Sequence, residues 1–206
     1  MLDGINYIAI EGPIGAGKTS LAHALAERID AKLVLEPADD NPFLEKFYAD
    51  MPGYALPTQL AFLALRHRQQ AEIAQGASSD SRIISDYIIA RDKIFAGLTL
   101  TDDEFALYGR LYGPVAAAAP KPDIVVLLKA DAETLMSRIH SRSTPYESAL
   151  AGEYIERLVA EYDEYFASYD DTPLLVVDTN ELGDYSGVGI DIDSLIREME
   201  EAGDGE

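Results

Sequence analysis

Cysteine is absent from the 206 residues. That excludes disulfides, thiolate nucleophiles and cysteine-ligated metals together. No run of about 18 apolar residues occurs, so no membrane-spanning helix is expected. The N-terminus lacks a basic segment leading into a long apolar one and does not read as a secretion signal. Cytoplasmic residence is the expectation. Positive charge is scarce: 16 Lys and Arg stand against 37 Asp and Glu, a formal net charge of -21. Such a surface repels nucleic acid and anionic membranes, so neither is expected as a partner. A polyanionic ligand needs a local cluster of positive groups and a metal ion. Two readings of the acidity stay open: an ordinary solvated face, or adaptation to high salt, since Asp is abundant and Lys scarce. The closing "EMEEAGDGE" inflates the acid count and reads as a frayed tail over about 200–206. The three histidines, His23, His67 and His140, have no metal-binding spacing and read as surface residues.

With 48% hydrophobic residues the chain can bury a substantial core, and its length fits one domain spanning 1–206. No repeat or low-complexity linker divides it. Strands are expected at 5–10, 32–36, 82–87, 123–128 and 173–178. Helices are expected at 17–29, from Asn41 as N-cap with Pro42 at the first helical position, at 56–75, 102–118, 131–141, 151–169 and 191–202. "DIVVLL" is apolar without a break, which suits a strand covered on both faces. Alternating elements of this kind imply an α/β fold with a parallel sheet between helices. Ligands then bind beyond the carboxyl ends of the strands, where Gly12, Glu36 and Asp86 fall.

"IAIEGPIGAGKTS" contains G-x-x-x-x-G-K-[ST] after a strand and before a helix, the context the phosphate-binding loop requires. The expected triphosphate contacts are Gly12, Pro13, Ile14, Gly15, Ala16, Gly17, Lys18, Thr19 and Ser20. Backbone N–H groups and the helix dipole face the phosphates. Lys18 reaches the β- and γ-phosphates, and Thr19 places its hydroxyl on Mg²⁺. The fold class is therefore expected to be P-loop NTPase-type, a three-layer α/β/α with a five-stranded parallel sheet. The loop binds a triphosphate without naming the acceptor. Asp86 ends an apolar strand, where an acid can reach the magnesium shell or cap the next helix. Glu36 can take a proton from an attacking hydroxyl or be an ordinary strand-end acid. Arg138 and Arg142, four apart at a helix end, suit a migrating phosphoryl group or salt bridges to nearby acids. Arg66 sits in a second basic spot on the long helix.

"LEPADDNPFLEKFY", "LPTQLAFLALR", "SDYIIARDKIFA" and "RSTPYE", in this order behind the phosphate loop, resemble the deoxynucleoside kinases. This is the family of deoxyguanosine, deoxyadenosine and deoxycytidine kinases, and the chain is similar in style to the bacterial purine-type members over about 5–180. The resemblance implies transfer of the ATP γ-phosphoryl to the 5′-hydroxyl of a deoxynucleoside in nucleotide salvage, with Mg²⁺, in a homodimer. Deoxyadenosine or deoxyguanosine is the expected acceptor. It implies that Glu36 is the general base and that Tyr48 and Glu147 hold the sugar 3′-hydroxyl. Gln59 hydrogen-bonds the base, Arg66 and Asp92 read its edge, and Phe95 stacks on it. The resemblance also implies a helical lid: Arg138 and Arg142 belong to this mobile lid over about 138–150, and Asp86 serves magnesium. The chain departs from the family at Tyr87, where many members carry an arginine after the strand-end acid, and at Thr144, where the lid often has a third arginine. Arg91 is a candidate to replace the first. Two other readings share the loop: a thymidylate-type monophosphate kinase, and a regulatory P-loop NTPase or binding module.

Overall fold

The structure, a computed structural model, describes residues 2, 4–77, 81–142, 144, 147, 150–181 and 189–203. The elements in chain order are β1 (Tyr7–Glu11), α1 (Lys18–Ile29), β2 (Lys32–Val34), α2 (Leu44–Ala49), α3 (Met51–Ala77), β3 (Ile83–Ser85) and α4 (Arg91–Thr99). They continue as α5 (Asp102–Ala118), β4 (Ile124–Lys129), α6 (Ala132–Arg142), α7 (Gly152–Ala167), β5 (Leu174–Asp178) and α8 (Ile192–Gly203). The five strands form one parallel sheet in the order β2-β3-β1-β4-β5. All five residues of β1 are buried, as are the first five of β4. A strand can be that dry only when helices cover both faces. The fold is thus the expected three-layer α/β/α arrangement around one large core.

The β strands turn over to helices at the sheet's carboxyl edge, and that edge carries the site. Two helices there begin differently from the sequence expectation. α3 starts at Met51, not 56, and runs through Pro57. Asp50 makes this possible by accepting from the Gly53 N–H at 3.2 Å, so the first turn is capped upstream of the proline. Asn41 does not cap α2; its side chain accepts from the Phe43 N–H at 3.1 Å and donates to the Thr58 carbonyl at 3.1 Å. It pins the loop to α3, and α2 begins only at Leu44. α4 was not anticipated at all. It carries no apolar stripe, because Arg91 and Asp92 are buried on it alongside Ile94, Ala96 and Leu98.

β2 ends at Val34, two residues before Glu36. The next backbone groups leave the ladder for side chains: the Leu35 carbonyl accepts from Gln69 at 2.7 Å, and the Glu36 N–H donates to Asp86 at 2.7 Å. α5 opens with a capping box between Thr101 and Glu104. α8 stays helical to Gly203, with Leu195, Ile196 and Met199 buried; only 204–206 of the expected frayed tail lie outside the described residues. Of the expected lid, residues 143, 145, 146, 148 and 149 likewise lie outside them. Among the described residues no helix is long and apolar enough to cross a membrane.

Candidate active site

The loop between β1 and α1 wraps back on itself as the glycines demand. Gly12 has φ +148°, and a Cβ there would stand 2.4 Å from the Leu128 carbonyl oxygen of β4. Gly15 has φ +86° against the Leu135 carbonyl. Neither place admits a side chain. Pro13 and Ala16 close the turn, with Ala16 N–H donating to the Pro13 carbonyl at 3.2 Å. The Lys18 ammonium also donates to the Pro13 carbonyl, at 2.8 Å. Burial, with Arg91 adding repulsion, lowers its pKa to about 7.

Thr19 donates its hydroxyl to Asp86 Oδ2 at 2.6 Å, while Oδ1 holds the Glu36 N–H. Asp86 therefore joins α1, the end of β3 and the loop after β2. It does not cap a following helix: the next one begins at Arg91. A hydroxyl beside a carboxylate is a hard-oxygen pair suited to Mg²⁺ held jointly with phosphate oxygens. Among the described residues no three His, Cys, Asp or Glu side chains could hold a metal by themselves.

A cavity of about 270 Å³ opens from this point. Ile14, Gly15, Lys18, Thr19 and Asp86 line its phosphate-loop end, and Thr58, Gln59, Phe62 and Arg66, all on α3, line the other. Those α3 residues recur at helical spacing and so share one face. Glu36 stands between the ends. Arg66 ion-pairs with both Glu36 and Asp92, and Arg91 lies 3.7 Å from Glu36. Burial opposes charge on Glu36, but Arg91, Arg66 and Lys18 outweigh it and hold the carboxyl at about 2. Asp92 is pushed up to about 6 by burial, against the pull of Arg66. Its Oδ2 is buried and has no hydrogen-bond partner.

The cavity brings Tyr48, Gln59, Arg66, Phe95 and Glu147 to one wall system with Glu36. Gln59 donates to Thr99 at 3.3 Å, and Arg66 lies over the Phe62 ring, 5.0 Å from its centroid. Asp92 is not brought to the wall. It has no exposure and touches the cavity only through Arg66. The two arginines of α6 also separate in role. Arg138 is buried and bonded to the Thr179 hydroxyl at 3.0 Å and to the Thr179 carbonyl, which anchors α6 to the end of β5. Arg142 is exposed and pairs with Glu147 at 3.1 Å. Both arginines, with Gly17, Ser20 and Ser141, line a smaller cavity against the phosphate loop. Tyr87 faces away: its phenol donates to Gln69 at 2.7 Å. Sequence reasoning passed over Glu11, Tyr162 and Tyr154. Tyr154 lines the main cavity with a buried hydroxyl that has no partner. A glutamate ending a strand and tyrosines on a helix carry no signal that separates them from structural residues.

The deoxynucleoside kinase family model matches residues 8–202. The chain belongs to the deoxynucleoside kinase family. Among curated relatives, a Bacillus subtilis deoxyguanosine kinase is 34% identical over 158 residues, covering 76% of each chain. A deoxyadenosine/deoxycytidine kinase of the same organism is 29% identical, covering 82% of this chain and 81% of the relative. Among solved structures, deoxyadenosine kinase from M. mycoides with the products dCMP and a flexible dCDP bound superposes with a TM-score of 0.82 at 26% identity. That match covers 95% of this chain and 99% of the other. This deoxynucleoside kinase is accordingly an enzyme of the phosphotransferase class, with the P-loop fold and a nucleotide-binding site.

Proposed function

We propose that the enzyme transfers the γ-phosphoryl group of ATP to the 5′-hydroxyl of a purine deoxynucleoside, releasing ADP and the nucleoside 5′-monophosphate. One observation carries this: a single cavity joins the phosphate loop to a polar and aromatic wall on α3 and α4, with Glu36 at the junction. A regulatory NTPase has no use for that second half. A monophosphate acceptor would need a surplus of positive charge beside Glu36 to hold its extra phosphate, whereas the charges of Arg66 and Arg91 there are offset by Glu36, Asp92 and Glu11.

Gln59 and Arg66 offer hydrogen bonds to the base edge, and Asp92 orients Arg66 from behind. Phe95 stacks on the base. Tyr48 and Glu147 hold the 3′-hydroxyl, which would compete with Arg142 for Glu147. Thr19 and Asp86 would hold Mg²⁺, whose charge would offset that of the phosphates. Lys18 contacts the β- and γ-phosphates, and the backbone from Gly12 to Ser20 cradles them. Arg142 closes over the donor, while Arg138 fixes the helix that presents it. Glu36 accepts the hydrogen bond of the 5′-hydroxyl and aims its oxygen. Held at about 2, Glu36 is a weak base in the resting site. In a loose phosphoryl-transfer transition state the proton leaves late, once bonding to phosphorus has acidified the oxygen. Glu36 takes it then.

The chain acts as one domain over 1–206, in the cytoplasm and as a homodimer. Leu107 and Leu111, four apart on α5 and each 49% exposed, support a partner on that helix face. A panel of deoxyadenosine, deoxyguanosine, deoxycytidine, thymidine and thymidine monophosphate with ATP, at low and molar KCl, tests the reading. Purine deoxynucleosides should be phosphorylated fastest, and Glu36→Gln should lower turnover by about 10²–10⁴. Turnover of the monophosphate alone, or ADP release with no phosphorylated acceptor, would refute it.

A further inference from the structure

We propose that Arg91 is a further cation that contacts the moving phosphoryl group in this enzyme, beside Lys18, and that Glu11, backed by Tyr162, is the residue that positions it. The proposal rests on the kinase reading above. The position directly after Asp86 cannot serve: Tyr87 is fully buried, with its hydroxyl on Gln69 at 2.7 Å. Arg91, at the start of α4, lies on the cavity wall together with Lys18, Glu36 and Asp86, although only 4% of it is exposed.

Its placement is over-determined on one side and open on the other. Nη1 donates to Glu11 Oε1 at 3.0 Å. Glu11 is itself fully buried and holds three further donors: the Gly12 N–H at 2.8 Å, the Tyr162 hydroxyl at 2.9 Å and the Ile88 N–H at 2.9 Å. One carboxylate thus ties the first amide of the phosphate loop, the turn after β3 and helix α7 to a single guanidinium. The Phe95 ring, 5.1 Å from the guanidinium carbon, supports its plane. Nη2, by contrast, stands 3.7 Å from Glu36, too long for a hydrogen bond. An N–H on that side is left to take a ligand oxygen beside the carboxylate that receives the 5′-hydroxyl. A planar fork can hold Glu11 and an oxyanion at once, which a point charge cannot.

The test uses the full chain with ATP and the preferred nucleoside. Arg91→Met should lower kcat by about 10²–10³, the range for losing one preorganised charge contact. ATP affinity by equilibrium binding should stay within about threefold. Glu11→Gln should lower kcat by about tenfold alone, yet add nothing to Arg91→Met, since it acts through that arginine. A folded Arg91→Met enzyme with kcat within about threefold of wild type would overturn the catalytic assignment, and an additive Glu11→Gln effect would overturn the positioning one. If Arg91→Met does not fold, Arg91→Lys decides: about a tenfold loss is expected, and wild-type kcat would overturn the proposal. Wild-type enzyme with no nucleoside-dependent turnover would instead sink the kinase reading itself.

Discussion

Replacing Arg66 with Met should destabilise the fold far more at pH 8 than at pH 5. The guanidinium is 3% exposed and faces Asp92, at 0%, and Glu36, at 17%. Glu36 keeps Arg91 at 3.7 Å, while Asp92 Oδ2 already lacks a hydrogen-bond partner. Breaking a buried pair from one side costs about 3–5 kcal/mol, because the remaining charge stays buried. Cation–π contacts to Phe62 and Tyr87, at 5.0 and 5.3 Å, add up to about 1 kcal/mol. Burial lifts the Asp92 carboxyl to about 6 against the pull of Arg66. A carboxyl raised above its unfolded value stabilises fully below that value and loses its contribution as pH rises through the folded one. Without Arg66 the folded value climbs further, so Asp92 is neutral at pH 5 and the cost there falls to about 1–2 kcal/mol. At pH 8 the full loss applies, a drop in thermal midpoint of about 6–24 °C for a chain of this length. Urea unfolding followed by far-UV circular dichroism at both pH values measures it. Adding Asp92→Asn should recover at least about half of the pH 8 loss. Equal destabilisation at both pH values, or no recovery in the double variant, would refute the account.

Other outcomes follow from the same geometry. Lys18 rests at about 7 and must be charged to hold phosphate, so MgATP affinity should fall by about tenfold or more between pH 7 and 9. Binding at pH 7.5 should take up protons, visible as buffer-dependent calorimetric heats; affinity flat across that range would contradict the buried, discharged lysine. Leu107→Glu with Leu111→Glu should yield a monomer by light scattering, and an unchanged mass would remove α5 from any interface. With a net charge of -21, the thermal midpoint should rise by about 5 °C or more between 0.05 and 2 M KCl, equal to about 1–2 kcal/mol. A flat response would favour the ordinary solvated surface.

The parts of the chain governed by local rules were readable directly. Unbroken apolar runs marked β1 and β4 as interior strands, and the glycines, Lys18 and Thr19 marked the phosphate loop. Glu36 and Asp86 were findable as candidates because "LEPADDNPFLEKFY" and "SDYIIARDKIFA" match motifs of the family; a strand-end position alone did not separate them from Glu11, which ends β1. The parts governed by long-range partners were not readable. Nothing near Asp50 announces that it caps a helix running through Pro57. Nothing near Arg138 tells that Thr179, 41 residues on, will claim it. Asp92 looks like a cavity acid until the packing of α3 on α4 places Arg66 in front of it. Glu11 shows no sign of its role, since its four donors come from three separate segments.

In the proposed reading most side chains that face the base lie along one helix, with Phe95 on α4 as the exception, while those that face the phosphates sit on loops at strand ends. Gln59, Phe62 and Arg66 follow one another at intervals of three and four along α3. A relative with a different nucleoside preference can therefore arise by exchanging a few residues on a single stripe. The strand ends that hold Lys18, Thr19 and Asp86 need not change. On that reading selectivity and chemistry lie on separate pieces of chain, which would leave the first free to diversify while the second is kept.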